Sequence, residues 1–466
     1  MKKKFKTIAL ALSLIMVFVV LAACAPADDA APEATPAPAN GGGGGETAAT
    51  PAPGADVTDA DDVQVEVAWW GGEARHELFN RIWDSYEEQN QHVTVIRQFA
   101  PWGDYWTRIF TQAAGGGLPD VFGTGPAYRG DLASRGFLMP LDPFVADGTL
   151  EVAGIVEGSL AQGVYPHTGN LYIITFGDTV SVIAFNQTLI ESVGMPLPRN
   201  GMTYSEFIEY ALELQELLPD GVWASNGNPW EHQFLNHARQ FGGLIVDEVN
   251  GVRQIGFRPQ DLQGYYEFYM TKLELGLSPP AEVTAENIGR MWVDSLEGTG
   301  RLAMWHTNAN QLKIFQSQTD DTISAFRSLI ADGAYYQYVE EIQPSGWAIA
   351  ATSSVGHEAA RLVNWFTNNI DTQVTFNMEL GVPGSAEAQN AIIGNLTNDP
   401  IDLTIGIEID LVNLIADTAI PMPWRLEGSP AIWTEVVDTW QEIMFGMISI
   451  EDAVARVFER GAILLG

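Results

Sequence analysis

Val63-Gln64-Val65-Glu66-Val67-Ala68-Trp69-Trp70-Gly71-Gly72, read together with the residues from there to Phe99, decides the fold. Val63, Val65, Val67 and Trp69 alternate with polar or small residues, the period of a strand. Leu78, Phe79, Ile82, Trp83 and Tyr86 then recur at helical spacing, and Val93, Val95 and Phe99 alternate again. Strand, helix and strand within about forty residues make a βαβ unit, whose parallel pair implies an α/β sheet with right-handed crossovers. Residues 104–114 read as a second helix, stopped by Gly115-Gly116-Gly117, and residues 118–122 as the next strand, so the doubly wound pattern continues.

Further along, residues 172–185 carry apolar side chains too densely for one solvated face. Gly177-Asp178-Thr179 interrupts them, which predicts two buried strands with a short irregular link. Thr203 and Glu206 form a capping box ahead of Phe207, Ile208, Ala211 and Leu212. Helices are predicted around 262–275, 359–368 and 433–445. A last one starts at Ser449, with Asp452 three residues on and Ala453, Val454, Val457 and Phe458 as its apolar stripe. No repeat of fixed period is present.

Toward the N-terminus, Lys2, Lys3, Lys4 and Lys6 precede an uncharged apolar run over 7–23, the layout of a signal peptide, so the chain reads as exported. The run is short for a membrane span. It ends Leu21-Ala22-Ala23-Cys24, and Cys24 is the only cysteine in the chain, so no disulfide forms within one subunit. The four residues resemble a bacterial lipobox, in which the thiol takes a diacylglyceryl group; a plain signal peptide with an incidental Cys is the bland alternative. Apart from Asn40 and Val57, residues 25–62 are Ala, Pro, Gly, Thr and acids, without one Lys or Arg, a composition that cannot repay the entropy of folding. They read as a disordered tether, spanning ~35 Å as a flexible coil. The expected segments are thus a 1–23 signal peptide, a 24–62 lipidated tether and a body from 63 to 466.

Across all 466 residues, 23 Lys and Arg face 59 Asp and Glu, a formal charge of −36. Removing 1–23 takes four lysines and no acid, leaving −40. Nucleic acid is thereby excluded as a partner, and polyanionic ligands are repelled unless a local basic pocket overrides the field. A body of this length exceeds one usual core and suits two lobes. No Gly-x-Ser-x-Gly elbow, His-Glu-x-x-His, phosphate loop or complete dinucleotide fingerprint occurs; Gly123-Thr124-Gly125 stops short of the last. The seven histidines are scattered, and His232 and His237 lie off a common helix face, so no metal and no cofactor is expected. A glycosidase carboxylate pair cannot be seen in sequence alone. The reading leans away from catalysis.

Fourteen tryptophans distinguish the chain. Trp83, Trp106 and Trp365 sit on amphipathic faces and read as core. Trp69 and Trp70 end the first strand beside Gly71 and Gly72, and the C-terminal edge of an open α/β sheet is where ligands bind. Paired rings there suit the C–H faces of a sugar, with nearby polar groups for its hydroxyls.

At these residues the chain resembles the extracellular solute-binding proteins of bacterial carbohydrate ABC transporters, the group that includes maltose-binding and multiple-sugar-binding lipoproteins. Besides Trp69-Trp70-Gly71-Gly72, the marks are Gly117-Leu118-Pro119-Asp120-Val121, Gly136-Phe137-Leu138-Met139-Pro140-Leu141-Asp142 and Ala184-Phe185-Asn186-Gln187-Thr188-Leu189. Gly300-Arg301-Leu302-Ala303-Met304, Ser345-Gly346-Trp347-Ala348-Ile349 and the closing run from Gly446 to Ala453 complete the series. The resemblance implies a two-lobed, type II periplasmic-binding-protein-like α/β fold, with doubly wound sheets joined by three hinge crossovers and a cleft that closes on a solute. Mapped here, 63–182 with 307–352 form the N-terminal lobe, and 183–306 with 353–466 the C-terminal lobe. Function follows as an expectation: a monomeric, lipid-anchored, extracytoplasmic binding protein, not an enzyme, delivering a neutral di- or oligosaccharide to the permease subunits of an importer. Polyamine, peptide or glycerol phosphate capture is the alternative within binding, and a secreted glycoside-active enzyme the alternative outside it.

The candidate ligand contacts are Trp69, Trp70 and Glu73 at the first strand end, and Asp178 before the first crossover, where a turn acid capping its own backbone is equally expected. Trp305, His306 and Asn308 follow at the second crossover, and Gly346 with Trp347 at the third, where Gly lets backbone approach a ligand. Trp230 lies in the turn-rich Asn226-Gly227-Asn228-Pro229-Trp230. Trp424 and Arg425 follow Pro421 and Pro423, with an ion pair the commoner fate of such an arginine. Trp102 and Tyr105 are lesser candidates.

Overall fold

The computed structural model describes residues 62–290, 292–418 and 424–466. The signal peptide, Cys24 and all of the tether but Asp62 lie outside them, as do Pro421 and Pro423. The opening βαβ unit forms as its pattern predicts. β1 (Val63–Trp70) and β2 (Val93–Ala100) run parallel with Val63 opposite Val93, and the Glu73–Gln89 helix between them buries Phe79, Ile82, Trp83 and Tyr86. The Trp102–Gly115 helix stops at Gly116, whose φ of 71° is the left-handed turn that glycine tolerates. β3 (Val121–Thr124) then joins the other edge of β1 in parallel.

β4 (Ile173–Asn186) is buried along its whole length. The remaining strands are β5 (Trp223–Ser225), the β6 (Val246–Val249) and β7 (Val252–Ile255) hairpin, β8 (Leu302–Asn308), β9 (Ile323–Arg327) and β10 (Ile342–Ile349). One sheet runs β2-β1-β3-β10-β4-β8-β5, with β9 also on β4. The first half of β4 pairs antiparallel with β10, and its second half with β8 and β9.

The expected break at Gly177-Asp178-Thr179 is therefore corrected: one strand continues through it, with a register shift against β10 beside Gly177, between Ser345 and Gly346. Gly177 is there for packing, since a Cβ would stand 2.7 Å from the Leu380 backbone. Asp178 exchanges both backbone hydrogen bonds with Val382, each 2.7 Å. Those backbone groups are thus satisfied away from β10, which places Pro344, lacking an N–H, opposite Asp178 at no cost.

Two main apolar cores flank this sheet. The first gathers β1, β3, the start of β4, the end of β10 and the Gly356–Asn368 helix. The second gathers the end of β4 with the Tyr204–Leu217, Glu231–Gln240, Pro259–Glu274, Ser429–Met444 and Ile450–Leu464 helices. The Thr203 capping box and the Ser449 cap form as predicted. Ala359, Val363, Phe366 and Phe376 pack in the first core. Phe326 and Leu329 pack in the second, where β9 pairs with the second half of β4.

Candidate functional site

A cavity of about 280 Å³ opens at the C-terminal ends of the parallel strands β5 and β8. Its wall comes from Asn226, Asn228 and Trp230 after β5, from Trp305, His306 and Thr307 of β8, and from Gln311 beyond it. Strand ends of a parallel pair leave such a crevice because the loops beyond them diverge. Trp230 is fixed through its backbone, which both donates to and accepts from the Tyr265 hydroxyl at 3.3 and 3.2 Å. The Trp305 ring meets Phe315 edge-to-face at 5.2 Å.

Asn226 Oδ1, Trp305 Nε1 and His306 Nδ1 are buried without a protein partner. The indole N–H groups of Trp69, Trp83, Trp106, Trp347, Trp424 and Trp440 are buried without a partner as well. The charged residues at the mouth are already engaged: Arg290 with Glu286 at 2.7 Å, and Glu297 with the Asn287 amide at 3.1 Å. His306 is held neutral, its value well below the ordinary one through burial and then the nearby Lys272. The wall thus combines two indole rings, a neutral imidazole and uncharged amides.

Lys272 lies beneath this wall, fully buried, and its value is lowered to about 7 by burial. Sequence reasoning passed over it. Its signal was its position three residues after Tyr269, in phase with the buried stripe of Leu262, Tyr265, Tyr266 and Tyr269, where an apolar residue is the rule.

Where the cores meet, Arg425 donates to Glu231 and, at 2.6 Å, to Glu341, and shares a 3.0 Å hydrogen bond with His232. Burial opposes the Glu341 charge, but Arg425 and His232 together hold its carboxyl well below the usual range. Trp424 lies beneath the Arg129 guanidinium, 4.7 Å from its ring centre, and against Tyr165. Burial lowers Arg129 to about 10 and raises Asp178 to about 6; the Ser159 hydroxyl, which donates to Asp178, and Arg129 only partly offset the latter.

The remaining candidates are dispersed. Trp69 and Trp347 are 1% and 0% exposed in the first core, Trp69 on Phe79 and Trp347 among Phe79, Trp83, Phe176 and Phe366. Trp70 closes over Gly123 and packs on Trp102, Tyr105 and Trp106. Glu73 is exposed in the first turn of its helix. The close approach that Gly346 permits is to Ile173 and Ile174 of β4. Asn308 ends β8, with Oδ1 unpartnered. Of the candidates, Trp230 and Trp305 line one cavity, and Asp178, Trp424 and Arg425 gather around Arg129. Among the described residues no group of three His, Cys, Asp or Glu is placed to hold a metal, and no helix is long and apolar enough to cross a membrane.

The sequence model of the family described as bacterial extracellular solute-binding protein matches residues 68–372, well over half of the chain. The chain belongs to that family. Solved structures share its architecture at low identity. An ABC substrate-binding protein from Listeria monocytogenes, in complex with cycloalternan, is 18% identical with a TM-score of 0.70, covering 86% of this chain and 98% of its own. A periplasmic oligogalacturonide-binding protein from Yersinia enterocolitica, with saturated digalacturonic acid, is 19% identical with a TM-score of 0.71 over 86% and 98%. The GacH receptor of Streptomyces glaucescens, studied with acarbose, is 17% identical with a TM-score of 0.68 over 86% and 99%. The α/β periplasmic-binding-protein-like fold expected from sequence is thus the fold of this extracellular solute-binding protein. Family and fold are those of binding proteins, not of enzymes.

Proposed function

We propose that this solute-binding protein captures a neutral di- or oligosaccharide in the Trp230–Trp305 cavity, by closure of two lobes, and passes it to the permease of an ABC importer. The observation that carries the reading is the cavity at the ends of β5 and β8, walled by Trp230 and Trp305 together with the uncharged polar residues Asn226, Asn228, Thr307 and Gln311. Donors and acceptors without charge match hydroxyls, and rings match the apolar faces of a pyranose. The engaged state of Arg290 and Glu297 and the −40 charge after removal of 1–23 favour a neutral sugar over a uronic or phosphorylated one. Solved relatives that carry cycloalternan and acarbose support saccharide as the class. The protein itself works as a monomer held on the membrane by lipid on Cys24, at the end of the 25–62 tether.

Tryptophan fluorescence titration against a carbohydrate panel, with product analysis, tests this. Saturable change without turnover is expected, with a smaller radius of gyration in solution scattering and unchanged helix content. Release of reducing ends at a catalytic rate overturns the reading. For the anchor, Cys24→Ser is expected to leave the chain uncleaved or shed into the medium; a processed, membrane-bound variant refutes lipidation.

A further inference from the structure

Trp424 and the three residues after it touch both cores. On one side stands a socket that the first core holds by itself. Its Arg129 guanidinium donates to the Gln162 carbonyl at 2.6 Å and to the Gln162 side-chain oxygen at 3.3 Å. Tyr165, and Leu132 and Ala133 of the Arg129–Ser134 helix, belong to that core. On the other side Arg425 is fixed by Glu231 of the Glu231–Gln240 helix and by Glu341 at the head of β10, and Leu426 packs on the second core. Each half thus has its own anchors. Three contacts join them. The Trp424 ring lies beneath Arg129 and 5.2 Å from the Tyr165 ring. The Arg425 carbonyl approaches Gly130 so closely that a Cβ there would collide with it. Glu427 takes Arg135, at the end of the Arg129–Ser134 helix, at 2.6 Å and Arg253 of β7 at 2.5 Å.

We propose that residues 424–427 are a latch between the two cores, docked in the closed molecule and released when it opens. The inference rests on the closure step of the proposed function and not on the choice of cavity. Neither half needs the other to satisfy its charges: Arg129 keeps Gln162, and Arg425 keeps Glu231 and Glu341. Gly130 marks the seat. It is helical, where Ala is the better residue, so the helix itself gives no reason for glycine and the Arg425 carbonyl does. The joint is of modest strength, since exposed ion pairs are weak singly and a cation over a ring adds little more. It therefore biases closure without locking it. Because it touches no solute, it raises the affinity for every solute by the same factor and selects among none.

Gly130→Ala decides it, because the added methyl suits the helix, removes no contact and blocks the seat. Without ligand, the variant should keep the wild-type helix content by circular dichroism and show a larger radius of gyration in solution scattering. Trp424→Leu, which empties the socket without adding bulk, should expand the molecule likewise. Wild-type dimensions in either folded variant overturn the proposal, and so does a Gly130→Ala chain that fails to fold, which would make the contact fixed packing. Titration with maltotriose keeps the two readings apart. Where the wild type binds it, Gly130→Ala should weaken binding roughly tenfold, and equal affinity also overturns the latch. Expanded variants with no maltotriose binding by the wild type count against the saccharide reading and uphold the latch. A wild type that compacts on maltotriose, with variants indistinguishable from it, does the reverse.

Discussion

The tryptophans of the first core and those of the second do different jobs. Trp69 is buried against Phe79 and Phe99, and Trp83 and Trp347 against Phe79 and Phe366, so their rings fill volume. Trp230 is half-buried and Trp305 nearly buried against Phe315, yet both border the cavity. An aromatic ring at a strand end is thus a packing element or a contact surface according to what the other elements leave uncovered.

The widest separation of the two sets is expected in stability. Trp347→Ala opens a large void in a close-packed core and should cost ~3–5 kcal/mol, read from urea unfolding. A cost below ~1 kcal/mol would mean that the first core is loose and the contrast false. Asp178, at the junction between the cores, gives the next effect. Its folded value of about 6 lies above the unfolded carboxyl, so it works against folding as pH rises from ~4 through 6 and at full strength beyond. Asp178→Asn should therefore gain ~2 kcal/mol at pH 7 and little at pH 3. Equal stability of variant and wild type at both pH values would show that Arg129 and Ser159 fully offset the burial. The smallest stability change belongs to Trp230→Ala, expected under ~1 kcal/mol because the ring borders an open cavity, with saccharide affinity reduced severalfold by loss of a stacking face. Affinity unchanged there, with Trp347→Ala abolishing binding in a folded protein, would reverse the assignment of the two sets.

Much of the architecture was legible because it follows local periodicity: the βαβ unit around Trp69, the Thr203 box and the Ser449 cap each depend on residues a few positions apart. What sequence did not reveal depends on distant partners. Gly177-Asp178 looks like a link until Leu380 and Val382 are seen to occupy its flank. The prominence of Trp69 and Trp70 came from their place at a strand end, yet their surroundings are set by Phe79, Phe99 and the Trp102–Gly115 helix. Arg425 shows the same dependence, since the carboxylates it meets belong to positions 231 and 341. Lys272 is the instructive omission, visible as a break in an apolar stripe but silent about the Asn226 carbonyl that its ammonium meets.

β4 carries one more implication. Because a single strand lends its first half to one core and its second to the other, it serves both as a common ruler. A slip of one residue would turn every side chain of β4 over, spoiling the two interiors together. Neither half of the body can then be excised as a free-standing fragment, and domain-dissection designs that cut inside residues 173–186 would sever the element that keeps both interiors in step.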